Sequence, residues 1–521
     1  MIDPVLVESA TVSTVVLCVH AALWNQHSWC AVGLLVQAFY SQRKWDRLLK
    51  SDGAVFQFRP AAGSSGVVPA SLVMPLLGLV LRAQCASAGQ VHLERFFMVV
   101  TVSGMVLALF VSLIALGVTR PAPVHACAAA GLSAASVAYA AKRTLTVSEV
   151  IEVLEVLLIF VYLSLIALYL LPRCFTPGEA LLVVGAVSVA LNQLIKRSLS
   201  RTEADGGGDP LTYLLPVLSV GLLLLGALFA LLFRFMESET WASSLFFHTV
   251  TAVLALGVLA PWLSLFIGRH PLTWLWDFVT LDRRRLELVA YWAFLCLAAA
   301  GVVLLQNRRR PAGSEKRQAS TTVRKYFHVI AVATFVPGLL YDRRLLHVAS
   351  AGCLAVFLFL EYVRYFRIKP LGTPLRRLLA SFLDDRDSGP LILTHVYLLL
   401  GMALPVWLSP TACASAGAGG LAPYAGVLAV GVGDAVAAVF GAALGELRWP
   451  GTRKTVEGTA TSVLAQVAAV ALLLIFDAEV DLDGAFSWVL ASVTLVAVLE
   501  AYTAQIDNLL LPLYLLVLLM L

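Results

Sequence analysis

Charged residues are scarce in this sequence of 521 residues. Asp, Glu, Lys and Arg make up 13% of the chain, about half of the roughly 25% found in soluble domains, while hydrophobic residues make up 60%. The net charge of +5 is spread over many loops, so we do not expect nucleic acid as a partner. The composition therefore excludes an ordinary soluble enzyme and predicts a protein of the lipid bilayer.

Other expected features are also missing. The four Asn residues lie in no N-x-Ser/Thr sequon, and the eight Cys residues form no C-x-x-C pair, so we expect neither a thiolate metal site nor a disulfide framework. The first ten residues contain Asp3 and Glu8 but no Lys or Arg, so a cleavable signal peptide is not expected.

Long apolar stretches fill most of the chain. Roughly 15 to 17 of them are near the length that crosses a hydrocarbon core, which predicts an all-α polytopic integral membrane protein. They lie near residues 5–24, 28–41, 67–82, 96–118, 123–141, 150–171, 178–195, 211–233, 241–267, 286–306, 326–341, 345–363, 391–409, 421–441, 459–476, 486–503 and 508–521. The short stretch at 28–41 is the weakest of these predictions.

Composition also divides the chain. Residues 307–324 are rich in Arg, Lys, Gly, Pro and Ser and form a predicted basic cytosolic linker. It separates a multi-span region, 1–306, from a second membrane domain, 325–521. The spans of the first region are plainly apolar, whereas the unusual polar motifs lie in the second.

The loops of the second domain alternate in charge. Loops 307–325, 364–390 and 442–458 contain 7, 6 and 3 Lys or Arg, whereas loops 342–344, 410–420 and 477–485 contain 2, 0 and 0. Because Lys and Arg stay on the cytosolic side, the basic loops are predicted to face the cytosol.

Polar motifs of the second domain fall near that same face. An ionised group at the hydrocarbon centre costs roughly 2.5 to 3.5 kcal/mol on insertion scales, so these acids need partners or water. The motifs are RKYFH (324–328, with Lys325 and His328), EYVR (Glu361 to Arg364), DDRDSG (384–389, with Asp384 and Asp387), Gly433-Asp434, GTRKTVEGT (451–459), Glu500 and Asp507-Asn508. Together they predict a polar pocket that takes an anionic ligand from the cytosol and a lipid from the bilayer.

Two neighbouring motifs favour phosphate chemistry. Asp434 follows Gly433, and an accessible carboxylate of this kind suits hydrated Mg²⁺; a structural salt bridge is the alternative. In GTRKTVEGT, Lys454 offers a point charge, and the helix that begins there favours an anion; a solvated basic loop is the alternative. For Lys325 and His328, phosphate binding and an ordinary interfacial pair stay equally open.

These motifs resemble the family of CTP-dependent polyprenol kinases, in particular its animal dolichol kinase branch. The resemblance runs through RKYFH, EYVRYFRIKPLG, DDRDSGPLILTH, GVGDAVAAVFGAALGELRWPGTRKTVEGT and EAYTAQIDNLLLPL, and includes WCAVGLLVQAFY, KWDRLL, EVIEVLEVLLIFVYL and CFTPGEALL in the first region. It implies an endoplasmic reticulum enzyme that transfers the γ-phosphoryl group of CTP to the terminal hydroxyl of dolichol, for glycosylation. With this resemblance, the plain apolar spans of 1–306 are expected to form an isoprenoid groove or scaffold, and 325–521 is expected to be the catalytic domain.

The resemblance also implies a cytidine-nucleotide site between Gly441 and Gly458. The predicted CTP-binding residues are Gly441, Gly445, Arg448, Gly451, Arg453, Lys454, Thr455, Glu457, Gly458, Thr459 and Lys325. We expect Asp434 and Glu457 to hold Mg²⁺, and Asp434, His328 or Glu500 to accept the proton of the lipid hydroxyl. Supporting roles around the ribose or metal are predicted for Glu361, Arg364, Asp384, Asp387, Asp507 and Asn508.

Three alternatives compete with this interpretation. A phosphatidate cytidylyltransferase would also use CTP and Mg²⁺ but would release pyrophosphate, and KTVEG favours the kinase. A secondary transporter would require an inverted repeat with polar residues in both halves, which the sequence does not show. A phytol or farnesol kinase would not need a leading region of 300 residues. The oligomeric state, including a homo-oligomer, stays open.

Overall fold

The computed structural model describes most of the chain. The described residues are 3–24, 26–50, 56–60, 64–117, 145–199, 211–308, 321–380, 388–409, 417–482 and 484–521. The predicted span at 123–141, residues 309–320 of the predicted linker, and Asp384 and Asp387 lie outside these ranges.

Helices dominate the described residues, and within them the β pairing is limited to an isolated bridge between Arg448 and Thr455. In chain order the α-helices are α1 (Pro4–Leu23), α2 (Gln26–Lys50), α3 (Val67–Ser87), α4 (Val91–Gly117), α5 (Val147–Leu170), α6 (Pro177–Leu199), α7 (Leu211–Leu232), α8 (Trp241–Ile267), α9 (Pro271–Thr280), α10 (Arg283–Arg308), α11 (Thr321–Tyr341), α12 (Arg343–Tyr365), α13 (Gly372–Ala380), α14 (Thr394–Trp407), α15 (Val427–Leu444), α16 (Val456–Phe476), α17 (Phe486–Tyr502) and α18 (Asp507–Leu519). Short π-helical segments lie within α8 (Ala255–Leu259) and α15 (Val427–Asp434).

Eleven helices in the described residues are long and apolar enough to cross a membrane, and four shorter apolar helices accompany them. The predicted all-α polytopic membrane class is confirmed. The weak span at 28–41 lies in α2, which carries basic residues through its second half and is not among the eleven.

The chain folds as two compact units. The first comprises Met1–Gln193, Ser388–Pro390 and Leu404–Leu521, and the second comprises Leu194–Asp387 and Leu391–Ala403. The first five helices thus share a unit with α15 to α18. The division at the basic linker stays a prediction about function, because the compact units group the helices differently.

The last helix lies at the centre of the first unit. Every residue of α18 is buried, and it packs against α1, α3, α15 and α17. Hydrogen bonds tie its buried backbone and side chains to the N-terminal helices: the Tyr514 hydroxyl donates to Pro69 O at 2.7 Å, and Gln84 Nε2 donates to Met520 O at 2.8 Å. The N-terminal helices therefore enclose part of the predicted catalytic region.

Aromatic packing forms a core of the second unit. Phe229 of α7, Phe247 of α8 and Phe366 after α12 are buried together. The Tyr362 hydroxyl donates to Leu222 O at 3.0 Å, and a Cβ at Gly226 would lie 2.4 Å from the Tyr362 ring. Close helix approach at a glycine, with a satisfied buried hydroxyl, is the usual way that membrane helices pack.

One expectation about cysteine is wrong. Cys85 at the end of α3 is buried and disulfide-bonded. A C-x-x-C spacing identifies only cysteines that are near each other in sequence, whereas a disulfide can join cysteines that are far apart in the chain.

Candidate active site

The segment 445–455 is a tight hairpin between α15 and α16. Trp449 N donates to Lys454 O at 3.0 Å, and Val456 N donates to Leu447 O at 2.8 Å. Gly451, near the tip, has a φ of +79°, a backbone conformation that favours glycine. The predicted nucleotide loop is therefore an ordered structure with a defined backbone path.

Thr455 fixes the start of α16. Its Oγ1 accepts a hydrogen bond from Gly458 N at 3.2 Å, which is ordinary N-capping geometry. The same hydroxyl lies 2.9 Å from the place where a Cβ at Gly441 would stand. Thr455 thus joins the beginning of α16 to the glycine face of α15.

The glycines predicted to line the nucleotide site allow the two helices to approach closely. A Cβ at Gly458 of α16 would lie 2.8 Å from Ala437 O of α15, and one at Gly445 would lie 2.6 Å from Thr455 Cγ2. Because a backbone atom cannot move aside easily, these positions exclude larger residues. The glycines position the hairpin over the end of α15, whatever contact they make with a ligand.

Glu457 and Thr459 are also engaged by the hairpin. Leu447 N donates to Glu457 Oε1 at 2.8 Å, and Trp449 Nε1 donates to Thr459 Oγ1 at 2.9 Å. Glu457 Oε2 is buried and has no hydrogen-bond partner among the described residues. One oxygen of Glu457 therefore fixes the hairpin to the start of α16.

Lys454 reaches from the hairpin to α17, where its Nζ forms an ion pair with Glu500 Oε1. The Lys454 side chain is 39% exposed, whereas that of Glu500 is only 4% exposed. The carboxylates of Asp434 and Asp507 are close enough to interact electrostatically with both. The structure thus brings together residues from α15, the hairpin, α17 and α18 that the sequence named separately.

The charge of Lys454 reflects these neighbours. Burial alone would lower the pKa of Lys454, but the carboxylates of Glu500, Asp434 and Asp507 outweigh it and raise that pKa above its ordinary value. Lys454 is therefore a fixed positive charge through the physiological pH range.

Three acids lie near the Lys454 ammonium in this cluster. Asp434, Glu500 and Asp507 are all at least nine-tenths buried. Among the described residues, no group of three or more His, Cys, Asp or Glu side chains is arranged to hold a metal ion on its own. The residues instead fit Mg²⁺ as it is usually bound, by one or two carboxylates together with substrate phosphates.

The remaining predicted residues of this unit lie at the rim or beside the acids. Arg448 and Arg453 are exposed on the hairpin. Asn508 is buried next to Asp507, whose Oδ1 accepts from Asn508 N at 3.0 Å.

Other predicted residues belong to the second unit. Arg364 donates to both carboxylate oxygens of Glu361, at 2.7 and 2.5 Å, and Ile392 N also donates to Glu361 Oε1. His328 is buried and Lys325 is half-buried on α11. The partners that an intramembrane acid requires are thus supplied to Glu361 from within its own unit.

Known proteins resemble this chain over nearly its whole length. A family model described as dolichol kinase matches residues 1–399. The dolichol kinases of Bos taurus and Homo sapiens are each 60% identical over 521 residues, covering 99% of this chain and 96% of theirs.

The chain belongs to the dolichol kinase family.

More distant relatives cover less of it. Dolichol kinase EVAN of Arabidopsis thaliana is 33% identical over 343 residues, which are 58% of this chain and 56% of the plant protein. No solved structure matches the chain. The predicted resemblance to the dolichol kinases is confirmed, the cytidylyltransferase and transporter alternatives are not favoured, and membership of a kinase family implies a nucleotide phosphoryl donor.

Ser462 and Gln466, which were not predicted from the sequence, extend a buried polar stripe on α16 that includes Thr459. Thr459, Ser462 and Gln466 share the buried face of the helix, and Gln466 Nε2 donates to Ser462 Oγ at 3.1 Å. Gln466 packs directly against Gly433, beside Asp434, where an added Cβ would lie 2.7 Å from its Nε2. The spacing of three and four residues in an otherwise apolar helix was the signal that could have revealed it.

Proposed function

We propose that this protein is a dolichol kinase that transfers the γ-phosphoryl group of CTP to the terminal hydroxyl of dolichol, giving dolichyl phosphate and CDP. We place it in the endoplasmic reticulum membrane with the CTP site on the cytosolic face, as the basic loops favour. The observation that carries the proposal is the convergence of a half-exposed lysine and three buried carboxylates beside an ordered, glycine-lined hairpin.

The hairpin supplies the groups for the triphosphate. Lys454 provides the inner positive charge, and the exposed guanidinium groups of Arg453 and Arg448 provide charge at the rim. The N-terminus of α16 adds the partial positive charge of a 21-residue helix. Phosphoryl transfer mainly requires that the phosphates are held in position and that their negative charge is neutralised.

The acids suit the metal that such a reaction requires. Asp434 and Asp507 would hold Mg²⁺, and Glu457 has one unpartnered oxygen that makes it a further candidate. When bound, the ion would neutralise charge on the phosphates. Glu500 forms an ion pair with Lys454, so we assign to Glu500 the role of orienting that lysine.

The lipid hydroxyl needs a proton acceptor, for which Asp434, Glu500 and His328 are the candidates. Their variants separate the roles, because loss of the acceptor lowers kcat and removes the acidic limb of its pH profile. Loss of a phosphate ligand instead raises KM for CTP.

The helices before residue 306 are proposed to provide the groove for the polyisoprenoid. Their support is the enclosure of α18 by α1 and α3, which places apolar N-terminal helices next to the helix that begins at Asp507. The domain 325–521 is proposed to supply the catalytic residues.

Purified protein in detergent, with γ-labelled CTP, Mg²⁺ and dolichol, tests the proposal. We expect labelled dolichyl phosphate and an equal amount of CDP, with ATP and GTP as weak donors. Release of pyrophosphate would indicate a cytidylyltransferase, and absence of transfer to any polyprenol would overturn the proposed function. Replacing dolichol with farnesol or phytol tests the preference for a long isoprenoid.

A further inference from the structure

The motif CFTPGEALL of the N-terminal region has no role in the site described above. Its residues form the start of α6, where Thr176 N donates to Glu179 Oε2 at 3.0 Å and Glu179 N donates to Thr176 Oγ1 at 3.2 Å. This reciprocal pair is a capping box. Arg59 forms an ion pair with the same Glu179, and all three side chains are buried.

These residues also bind the segment 503–506, which connects α17 to α18. Ile506 N donates to Glu179 Oε1 at 3.2 Å, and the Thr176 hydroxyl donates to Gln505 Oε1 at 2.7 Å. Gln505 Nε2 in turn donates to Ser64 O at 3.3 Å. We call Arg59, Thr176, Glu179 and Gln505 the anchoring cluster.

A second contact holds the beginning of the segment. The Thr503 hydroxyl donates to Glu8 Oε1 of α1 at 2.7 Å, and Glu8 is only 1% exposed. The segment is therefore bound by side chains or backbone from α1, from the chain before α3, and from the start of α6.

Close packing leaves the segment little room to move. Gly66 has a φ of +68°, and a Cβ there would lie 2.1 Å from Gln505 Cδ. A Cβ at Gly178 would lie 2.1 Å from Gly66 O. These backbone contacts fix where Gln505 stands relative to the start of α6.

The segment joins two acids of the candidate site. Glu500 lies three residues before Thr503, and Asp507 follows Ile506 directly. A simple apolar turn could connect the two helices, yet this one is held by a buried ion pair and several buried hydrogen bonds. A buried ion pair adds little to stability compared with apolar packing, so its value here is that it specifies one arrangement.

We propose that Thr176, Glu179 and Gln505 are positioning residues for phosphoryl transfer. By holding segment 503–506, they fix Glu500 against Lys454 and set the position of Asp507. This inference rests on the proposed function. Because displacement of a reacting group by about 1 Å can cost up to about a hundredfold in rate, a fixed segment has a direct catalytic consequence.

Two pairs of variants test the proposal in the full-length protein. Gln505→Leu removes the hydrogen bonds of the Gln505 side chain with Thr176 and Ser64. Gln84→Leu is its matched control, because Gln84 binds the opposite end of α18 through Met520 O. Thr176→Val removes the hydroxyl that binds Gln505, and Thr176→Ser keeps it. For each protein, kcat, KM for CTP, thermal unfolding and hydrogen–deuterium exchange of residues 503–510 are measured.

We expect Gln505→Leu and Thr176→Val to lower kcat about tenfold, with KM for CTP changed less than about twofold, because geometry and not nucleotide binding is disturbed. The amide of Ile506 should exchange faster in both variants. Thr176→Ser should restore kcat, and Gln84→Leu should keep wild-type kcat.

Equal kcat values for Gln505→Leu and Gln84→Leu would overturn the proposal. So would a fall in kcat that follows only the loss of folded protein in thermal unfolding, because that result indicates a merely structural role. If the wild type itself transfers no phosphate from CTP to dolichol, the proposed function fails and the positioning role fails with it. If the wild-type enzyme is active and all four variants have the same kcat as the wild type, the proposed function stands and only the positioning role is overturned.

Discussion

Two ion pairs of the molecule, Glu361–Arg364 and Glu500–Lys454, differ in the exposure of the basic side chain and in the number of acids nearby. In the second unit, Arg364 donates to both oxygens of Glu361, and no more than a tenth of either side chain is exposed. In the first unit, Lys454 pairs with Glu500 but is 39% exposed, and two further acids, Asp434 and Asp507, lie nearby. We call Glu361 and Arg364 the closed pair, and Lys454 with Glu500, Asp434 and Asp507 the open cluster, because a larger fraction of Lys454 is exposed.

The difference explains why a chain with so few charges tolerates several in one place. In a doubly hydrogen-bonded pair, each buried charge has the partner that it requires inside a membrane. Buried carboxylates beside an accessible lysine suit Mg²⁺ bound together with substrate phosphates, so we propose that a metal–nucleotide complex binds at the open cluster. Four changes test this contrast.

The largest expected effect is on catalysis at the open cluster. Asp434→Asn removes a carboxylate but keeps its shape, and we expect kcat/KM for CTP to fall about 10³-fold or more because charge compensation of the phosphates is lost. Transfer of label from γ-labelled CTP to dolichol measures it. Glu361→Gln is the matched buried acid, and its folded fraction should keep wild-type kcat. Similar catalytic losses in both variants would remove the distinction between the pairs.

The next effect is on stability at the closed pair. Arg364→Met leaves Glu361 buried without its cation, which should destabilise the fold by about 3–5 kcal/mol while kcat per folded molecule stays unchanged. Thermal unfolding in detergent and activity per folded protein measure the two quantities. The double variant Glu361→Leu with Arg364→Met should recover most of the stability. A selective loss of turnover with normal stability would instead place the pair in the active site.

A smaller effect is expected at the hairpin. In Gly445→Ala the new methyl group would lie 2.3 Å from Gly441 O, so the hairpin must shift and KM for CTP should rise about tenfold. Gly301→Ala in α10 is the control, because nothing lies within 4 Å of its Cβ position. Titration of the initial rate with CTP measures KM. An unchanged KM would show that Gly445 serves helix packing alone.

The smallest effect concerns pH. The acidic neighbours of Lys454 raise its pKa above the ordinary lysine pKa of about 10.4. The ammonium group therefore stays protonated, and its ion pair with Glu500 persists, as the pH rises past about 10.4. Glu500→Gln removes the strongest of these neighbours, so the alkaline limit of CTP binding should move to lower pH. Affinity for CTP measured between about pH 7 and 11 checks the shift. An alkaline limit that stays in place would show that Lys454 does not bind the nucleotide.

The sequence predicted features that belong to single helices. Apolar length identified most membrane helices, and the requirement for partners marked Asp434, Glu361 and Glu500 as important. Residue type alone does not show how a carboxylate is used. Glu457 was predicted to hold a metal, yet one of its oxygens accepts a hydrogen bond from Leu447 N in the hairpin. Its metal role stays a prediction.

Features that depend on packing between helices could not be predicted. Lys454 and Glu500 are 46 residues apart, and no local pattern indicates their pairing. The enclosure of α18 by the N-terminal helices depends on side-chain shape and small residues, which composition does not encode. Gln505 looked like an ordinary loop residue, and its hydrogen bonds to Thr176 and Ser64 span more than 300 residues of chain.

The most direct test of the central claim is the Mg²⁺ dependence of CTP binding at equilibrium. Wild type, Asp434→Asn and Glu361→Gln are compared in detergent without dolichol, so that no turnover occurs. The account predicts that Mg²⁺ tightens CTP binding at least about tenfold in wild type and Glu361→Gln, and by little in Asp434→Asn. An equal effect of Mg²⁺ in all three proteins would contradict the assignment of the metal–nucleotide site to the open cluster.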